Sequence, residues 1–160
     1  MTDPFRRPTF GSAVFYDDPF AALVWLEAAF GFERTMVITD AEGKLAHSEM
    51  GYGDGYVMIG PIWNDDVASP RQLGGRNTQT VHVQLTDGID AHCARAEAAG
   101  AVIVRPLATQ FYGDRTYCAR DPEGHVWSFG QTVATVGRAE AEAASGLTID
   151  GWPDQPAGSR

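Results

Sequence analysis

A shift of 69 residues carries one half of this chain onto the other, and that repeat constrains the fold more than any other feature of the sequence. It maps Asp18, which precedes Pro19 and an apolar helical pattern, onto Asp87, and Gly31, which closes the pattern, onto Gly100. Val14, Ala22, Ala29 and Val57 likewise meet Val83, Ala91, Ala98 and Val126. The turn glycine of Gly53-Asp54-Gly55 meets that of Asp121-Pro122-Glu123-Gly124. Coincidence among common Gly and Ala residues would not also match their structural roles. One offset running through strand, helix cap, helix end and hairpin turn therefore means two copies of one unit.

The first copy shows what the unit is. Phe10 to Asp17 reads as a strand, with Val14 and Tyr16 on one side and Ala13 and Phe15 on the other. Asp17 or Asp18 caps a helix whose first position is Pro19, where a missing N–H costs nothing. Leu23, Leu26, Glu27 and Phe30 recur at helical spacing, and Gly31 is the natural stop. Three strands follow at Glu33 to Thr39, Lys44 to Tyr52 and Tyr56 to Ile59, with Asp40-Ala41-Glu42-Gly43 and Gly53-Asp54-Gly55 between them. The unit is β-α-β-β-β. It occupies residues 1–61, and residues 62–78 have the Gly, Pro, Asn and Asp composition of a linker.

The second copy, residues 79–131, predicts a strand at Thr80 to Thr86 and a helix from Asp87 to Ala99 with Ile89, Cys93 and Ala96 inward. Strands follow at Ala101 to Val104, Phe111 to Arg120 and His125 to Gln131, the last two joined in a hairpin by the Asp-Pro-Glu-Gly turn. Residues 132–160 have no counterpart in the first copy. They form an extension with a short helix at Arg138 to Ala144 and a Gly/Pro-rich end, around Trp152, that frays. The expected fold is α+β: one structural domain of two tandem modules making a curved mixed sheet with helices outside.

Composition excludes several roles. A formal charge of −9 disfavours nucleic-acid binding, which depends on Lys and Arg neutralising phosphates. No segment approaches the ~20 apolar residues of a membrane span, and MTDPFRRPTF lacks the apolar run of a secretory signal. Cys93 and Cys118, outside any CxxC pattern, read as reduced thiols acting as small hydrophobes. A cytoplasmic protein is expected.

With YGDR at 112 to 115, DPEGHVW at 121 to 127 and SPRQLGG at 69 to 75, the paired units resemble the vicinal oxygen chelate superfamily, in its glyoxalase-like or bleomycin-resistance-like subgroup. The resemblance spans Phe10 to Gln131. It implies a homodimer and paired modules enclosing a cup that holds either a metal or a ligand. Metal-using relatives place ligands on the first and last strands of each module, which the repeat assigns to Ala13, Ile59, His82 and Ser128. Of these only His82 coordinates a divalent ion, and a catalytic site needs about three His or carboxylate ligands. The reading is therefore a metal-free protein that binds and sequesters a small aromatic or cationic molecule. The alternative is a lyase, isomerase or dioxygenase with a divalent metal at His82, its ligand set displaced to His82, His47 and Glu49.

The remaining candidates follow from alternation. Val81, Val83 and Leu85 face the helix, so His82 and Gln84 face the cup. His125 is expected to hydrogen-bond near the turn while Trp127 and Phe129 pack beneath the helix. Tyr112, Arg115 and Tyr117 offer aromatic surface and a fixed cation, or equally strand surface with an ion pair to Asp114 or Asp121. His47 and Glu49 share a face, but the repeat aligns them with Thr116 and Cys118, opposite in parity to Arg115 and Tyr117; without a bulge only one pair points into the cup. Phe15 and Trp63 are candidate stacking walls, or else core and rim packing. No nucleophile with a neighbouring base and no phosphate loop appears.

Overall fold

The computed structural model of the protein describes residues 3–5 and 7–152; the end expected to fray, residues 153–160, lies outside them. The first module runs β1 (Ser12–Tyr16), α1 (Pro19–Phe30), β2 (Glu33–Thr39), β3 (Leu45–Tyr52) and β4 (Gly55–Pro61). The second runs β5 (Val81–Gln84), α2 (Ile89–Ala98), β6 (Val102–Thr109), β7 (Asp114–Arg120) and β8 (Val126–Thr132), before α3 (Arg138–Ser145). The modules make two four-stranded mixed sheets of the same order, β1-β4-β3-β2 and β5-β8-β7-β6. In each, the first strand lies parallel to the last and the other pairs are antiparallel. This is the α+β arrangement the repeat demands.

Local chemistry explains where the two copies agree and where they part. Asp18 caps α1 by accepting from the Ala21 N–H at 3.0 Å, and Gly31 ends it at φ 77°, a left-handed conformation that glycine adopts without strain. In α2 the capping residue is Gly88, and no side chain of the helix start bonds back. Asp87 therefore does not repeat the role of Asp18. Instead Gln131 Oε1, on β8, accepts from the Ile89 N–H at 3.0 Å. β6 continues to Thr109, well past the expected end at Val104, with its ladder irregular between Ile103 and Arg105 and again between Arg105 and Ala108. Those irregularities, on the outer strand of the sheet, accommodate Pro106 without a ladder N–H.

The modules share one buried cluster. The Phe30 ring, at the end of α1, lies 5.7 Å from Trp127 and 4.7 Å from Phe129 of the other sheet. Arg95 of α2 donates to the carbonyls of Glu27 and Ala28 at the end of α1, where Glu27 O also accepts the N–H of Gly31. Trp25 Nε1 donates to Ala99 O at 2.9 Å. Separating the modules would uncover Phe30, Trp127 and Phe129, at about 1.5–3 kcal/mol for each, so neither half is expected to stand alone.

The repeat also slips by one residue, at its last hairpin. Tyr52 pairs with Gly55, leaving Gly53 and Asp54 in the turn. In the second copy the final ladder pair is Arg120 with Val126, and the Asp121 N–H donates to His125 O, so Pro122-Glu123-Gly124 form a longer loop. Glu49 accordingly lies opposite Met58, whereas Cys118 lies opposite Ser128. The counterpart of Ser128 is Met58; Ile59, the residue assigned by a constant shift, is fully buried on the helix side. A single inserted residue exchanges the faces of a strand.

That longer loop locks the modules together. The Asp121 carboxylate, 5% exposed, accepts from five donors: the N–H groups of Glu123, Gly124 and His125, the Tyr16 hydroxyl at 2.7 Å and Trp127 Nε1 at 3.1 Å. The Glu123 carboxylate receives the N–H groups of Asp17 and Asp18 at 2.7 and 2.9 Å, at the entrance to α1.

Candidate functional site

Each sheet presents to the helices its apolar residues, including Val14, Met50, Val57 and Ile59 in the first and Val83, Tyr117, Trp127 and Phe129 in the second. The opposite faces carry the polar side chains. On the first sheet, Ala13 lies opposite Met58, Phe15 opposite Gly60, and Glu49 opposite Met58, which places His47 and Glu49 on this face as well. Phe15, Met58, Pro61, His47 and Trp63 line a slot of about 230 Å³. Trp63 is 67% exposed at its rim.

Glu49 is the buried charge of this face, 5% exposed. Its Oε1 receives Arg7 Nε at 2.9 Å, Arg7 Nη2 at 2.8 Å and His47 Nε2 at 3.1 Å. Burial works to raise the Glu49 pKa, but the Arg7 and His47 hydrogen bonds outweigh it and hold the carboxyl below its usual value. Because a carboxylate only accepts, His47 carries its proton on Nε2.

On the second sheet, His82 Nδ1 meets Ser128 Oγ at 3.1 Å and Nε2 meets Gln84 Oε1 at 3.1 Å. Gln84 Nε2 donates onward to Thr132 Oγ1 at 3.2 Å. Gly130 lies beneath this row: a Cβ there would come within 2.9 Å of Gln84 Oε1 and 3.1 Å of His82 Cε1. His82 and Phe15 also border an open cleft of about 1020 Å³ with Phe10, Tyr56, Arg76 and His125.

Some expected site residues lie elsewhere. Tyr117 is on the helix face of β7, 0% exposed, with its hydroxyl 2.6 Å from His92 Nδ1. Arg115 has the same parity and donates to both carboxylate oxygens of Asp90 on α2, at 2.9 and 2.7 Å, rather than to Asp114 or Asp121. The faces turned away from the helices therefore carry the other parity, which contains His47 and Glu49 in one sheet and Thr116 and Cys118 in the other. Tyr112 lies in the turn between β6 and β7, edge-on to Phe111. His125 reaches the first module, with Nε2 donating to Phe15 O at 2.8 Å. Both cysteines are free and buried.

The donor set is poor for a metal. The corrected positions, Ala13, Met58, His82 and Ser128, contain one imidazole and no carboxylate. In the displaced set His47 and Glu49 bond each other, while His82 bonds Ser128 and Gln84 instead. Among the described residues no group of three His, Cys, Asp or Glu is placed to hold an ion. Sequence reasoning missed Met58 and Arg7. Counting residues in the two hairpins could have found Met58; nothing in the sequence pointed to Arg7.

Comparison with known proteins agrees with this architecture. The model of the Glyoxalase/Bleomycin resistance protein/Dioxygenase superfamily matches residues 10–129. An uncharacterized protein of Mycobacterium bovis is 34% identical over 153 residues, covering 91% of this chain and 97% of the relative. The crystal structure of TioX from Micromonospora sp. ML1 is 34% identical, with a TM-score of 0.64 over 79% of this chain and 99% of that one. A fosfomycin resistance protein, FosX from Mesorhizobium loti, is 15% identical with a TM-score of 0.54 over 81% of this chain and 93% of its own, a likeness of fold alone.

Proposed function

The chain belongs to the Glyoxalase/Bleomycin resistance protein/Dioxygenase superfamily, and from that premise we propose that it is a metal-free binding protein that sequesters a small aromatic or cationic molecule in its cup. The observation that carries this reading is the donor set: of Ala13, Met58, His82 and Ser128, only His82 has a side chain of the type that ligates a divalent ion. Support comes from the aromatic and apolar wall of Phe15, Met58 and Trp63 around the slot, with His47 in its lining and His82 at the neighbouring cleft. A few polar groups set in an apolar concavity suit binding and orientation of a small molecule. Arg115 and Tyr117, turned to the helix side, have no part in it.

Trp63 is the natural reporter. Titration with monocyclic and fused aromatic cations should quench tryptophan fluorescence saturably, and Trp63→Phe should abolish most of the change. A metal-dependent turnover of such a compound would replace this reading with the lyase, isomerase or dioxygenase one. Absence of quenching by every member of the panel would also count against it.

A further inference from the structure

The segment ahead of β1 puts a cation on the one buried carboxylate of the first sheet's open face. Arg7 is held there from its own side as well. Its N–H donates to Asp3 Oδ2 at 2.9 Å, its Nη1 meets Asp3 Oδ1 at 3.3 Å, and its guanidinium stacks 4.3 Å from the Phe5 ring. The same segment continues through Pro8 and Phe10, which border the large cleft. It precedes the first strand of the module, which begins at Ser12. Arg7 and His47 both use Oε1 of Glu49, and Oε2 has no partner among the described residues.

A buried carboxylate, an aromatic slot beside it, and a guanidinium stacked on a phenyl ring together describe a ligand already in place. Resting on the binding function above, we propose that Glu49 is the recognition point for an aromatic amidinium or guanidinium ligand, and that Arg7 occupies it as an internal competitor which such a ligand displaces. His47, bonded to Glu49 and lining the slot, joins the two parts. The ring would lie between Phe15, Met58 and Trp63, in a volume of about 230 Å³ that fits one small ring system. Its cation would take the fork geometry that Arg7 presents and gain a second contact at Oε2.

Benzamidine is the probe, with neutral benzamide as its uncharged partner, and calorimetric titration of the full chain the measurement. Arg7→Ala should bind benzamidine about fivefold more tightly than the unaltered protein, the scale of a single ion pair removed from competition. Glu49→Gln should weaken benzamidine binding and leave benzamide unaffected, and Arg7→Ala added to Glu49→Gln should give no further gain. Arg7→Ala binding equally or more weakly overturns the competitor, and equal binding of benzamide and benzamidine overturns recognition at Glu49; either leaves sequestration standing. No binding of benzamidine by any variant overturns the proposal, whereas loss of sequestration itself would appear as metal-dependent turnover.

Discussion

A carboxylate that accepts five hydrogen bonds in a buried position cannot be replaced by any other side chain of its size without stranding donors. Asp121 is such a residue, with Tyr16 from one module and Trp127 from the other on the same oxygen. Burial and the neighbouring carboxylates raise the Tyr16 pKa far above its usual value, so it remains a donor. Asp121→Ala should lower unfolding free energy by about 3 kcal/mol in denaturant titration; a loss under about 1 kcal/mol would show that the lock is not shared between modules. His92 supplies a pH effect. Its Nε2 donates to Phe30 O at 2.9 Å, which leaves Nδ1 to accept from Tyr117, and burial pushes its pKa below 6.5. The unfolded chain therefore takes up this proton first as pH falls. Its contribution is complete above about pH 6.5 and is lost as pH drops through the lowered folded value. Denaturation midpoints at pH 7.5 and pH 5.5 should differ more in the unaltered protein than in His92→Gln.

Elements followed the sequence wherever one residue type fixed the backbone. Pro19 after Asp18, Gly31 at a left-handed φ and the alternation of Val14 and Tyr16 each have one structural solution, so β1 and α1 were legible. The faces of β4 and β7 were not. The glycine match between Gly55 and Gly124 hid the extra residue of the second hairpin, and parity alone could not choose between Arg115-Tyr117 and His47-Glu49. The partners of Arg115, Asp121 and Glu123 lie 25, 105 and 106 residues away, beyond any local pattern. The β6–β7 turn gives a test at this scale. Gly113 has φ 97°, and a Cβ there would approach Ala134 O, on the chain leading to α3, to 2.1 Å. Gly113→Ala should cost about 2 kcal/mol or more and expose the C-terminal segment to proteolysis. Unchanged stability would mean that this segment does not rest on the turn.

Across the whole molecule, two sheets back onto one core and leave their outer strands open. β2 and β6 carry Val37, Ile38, Val102 and Val104, all 40% exposed or more, along edges with unpaired backbone groups. Light scattering at micromolar concentration should report a homodimer; a monomer would mean that these edges need no cover. Among the described residues no helix is long and apolar enough to cross a membrane. The most direct measurement of the chemistry around His82 is elemental analysis of protein purified without chelator. The donor set around His82 predicts zinc, iron, manganese and nickel all well below one atom per chain. Stoichiometric metal that disappears in His82→Ala would contradict it and place catalysis at that site.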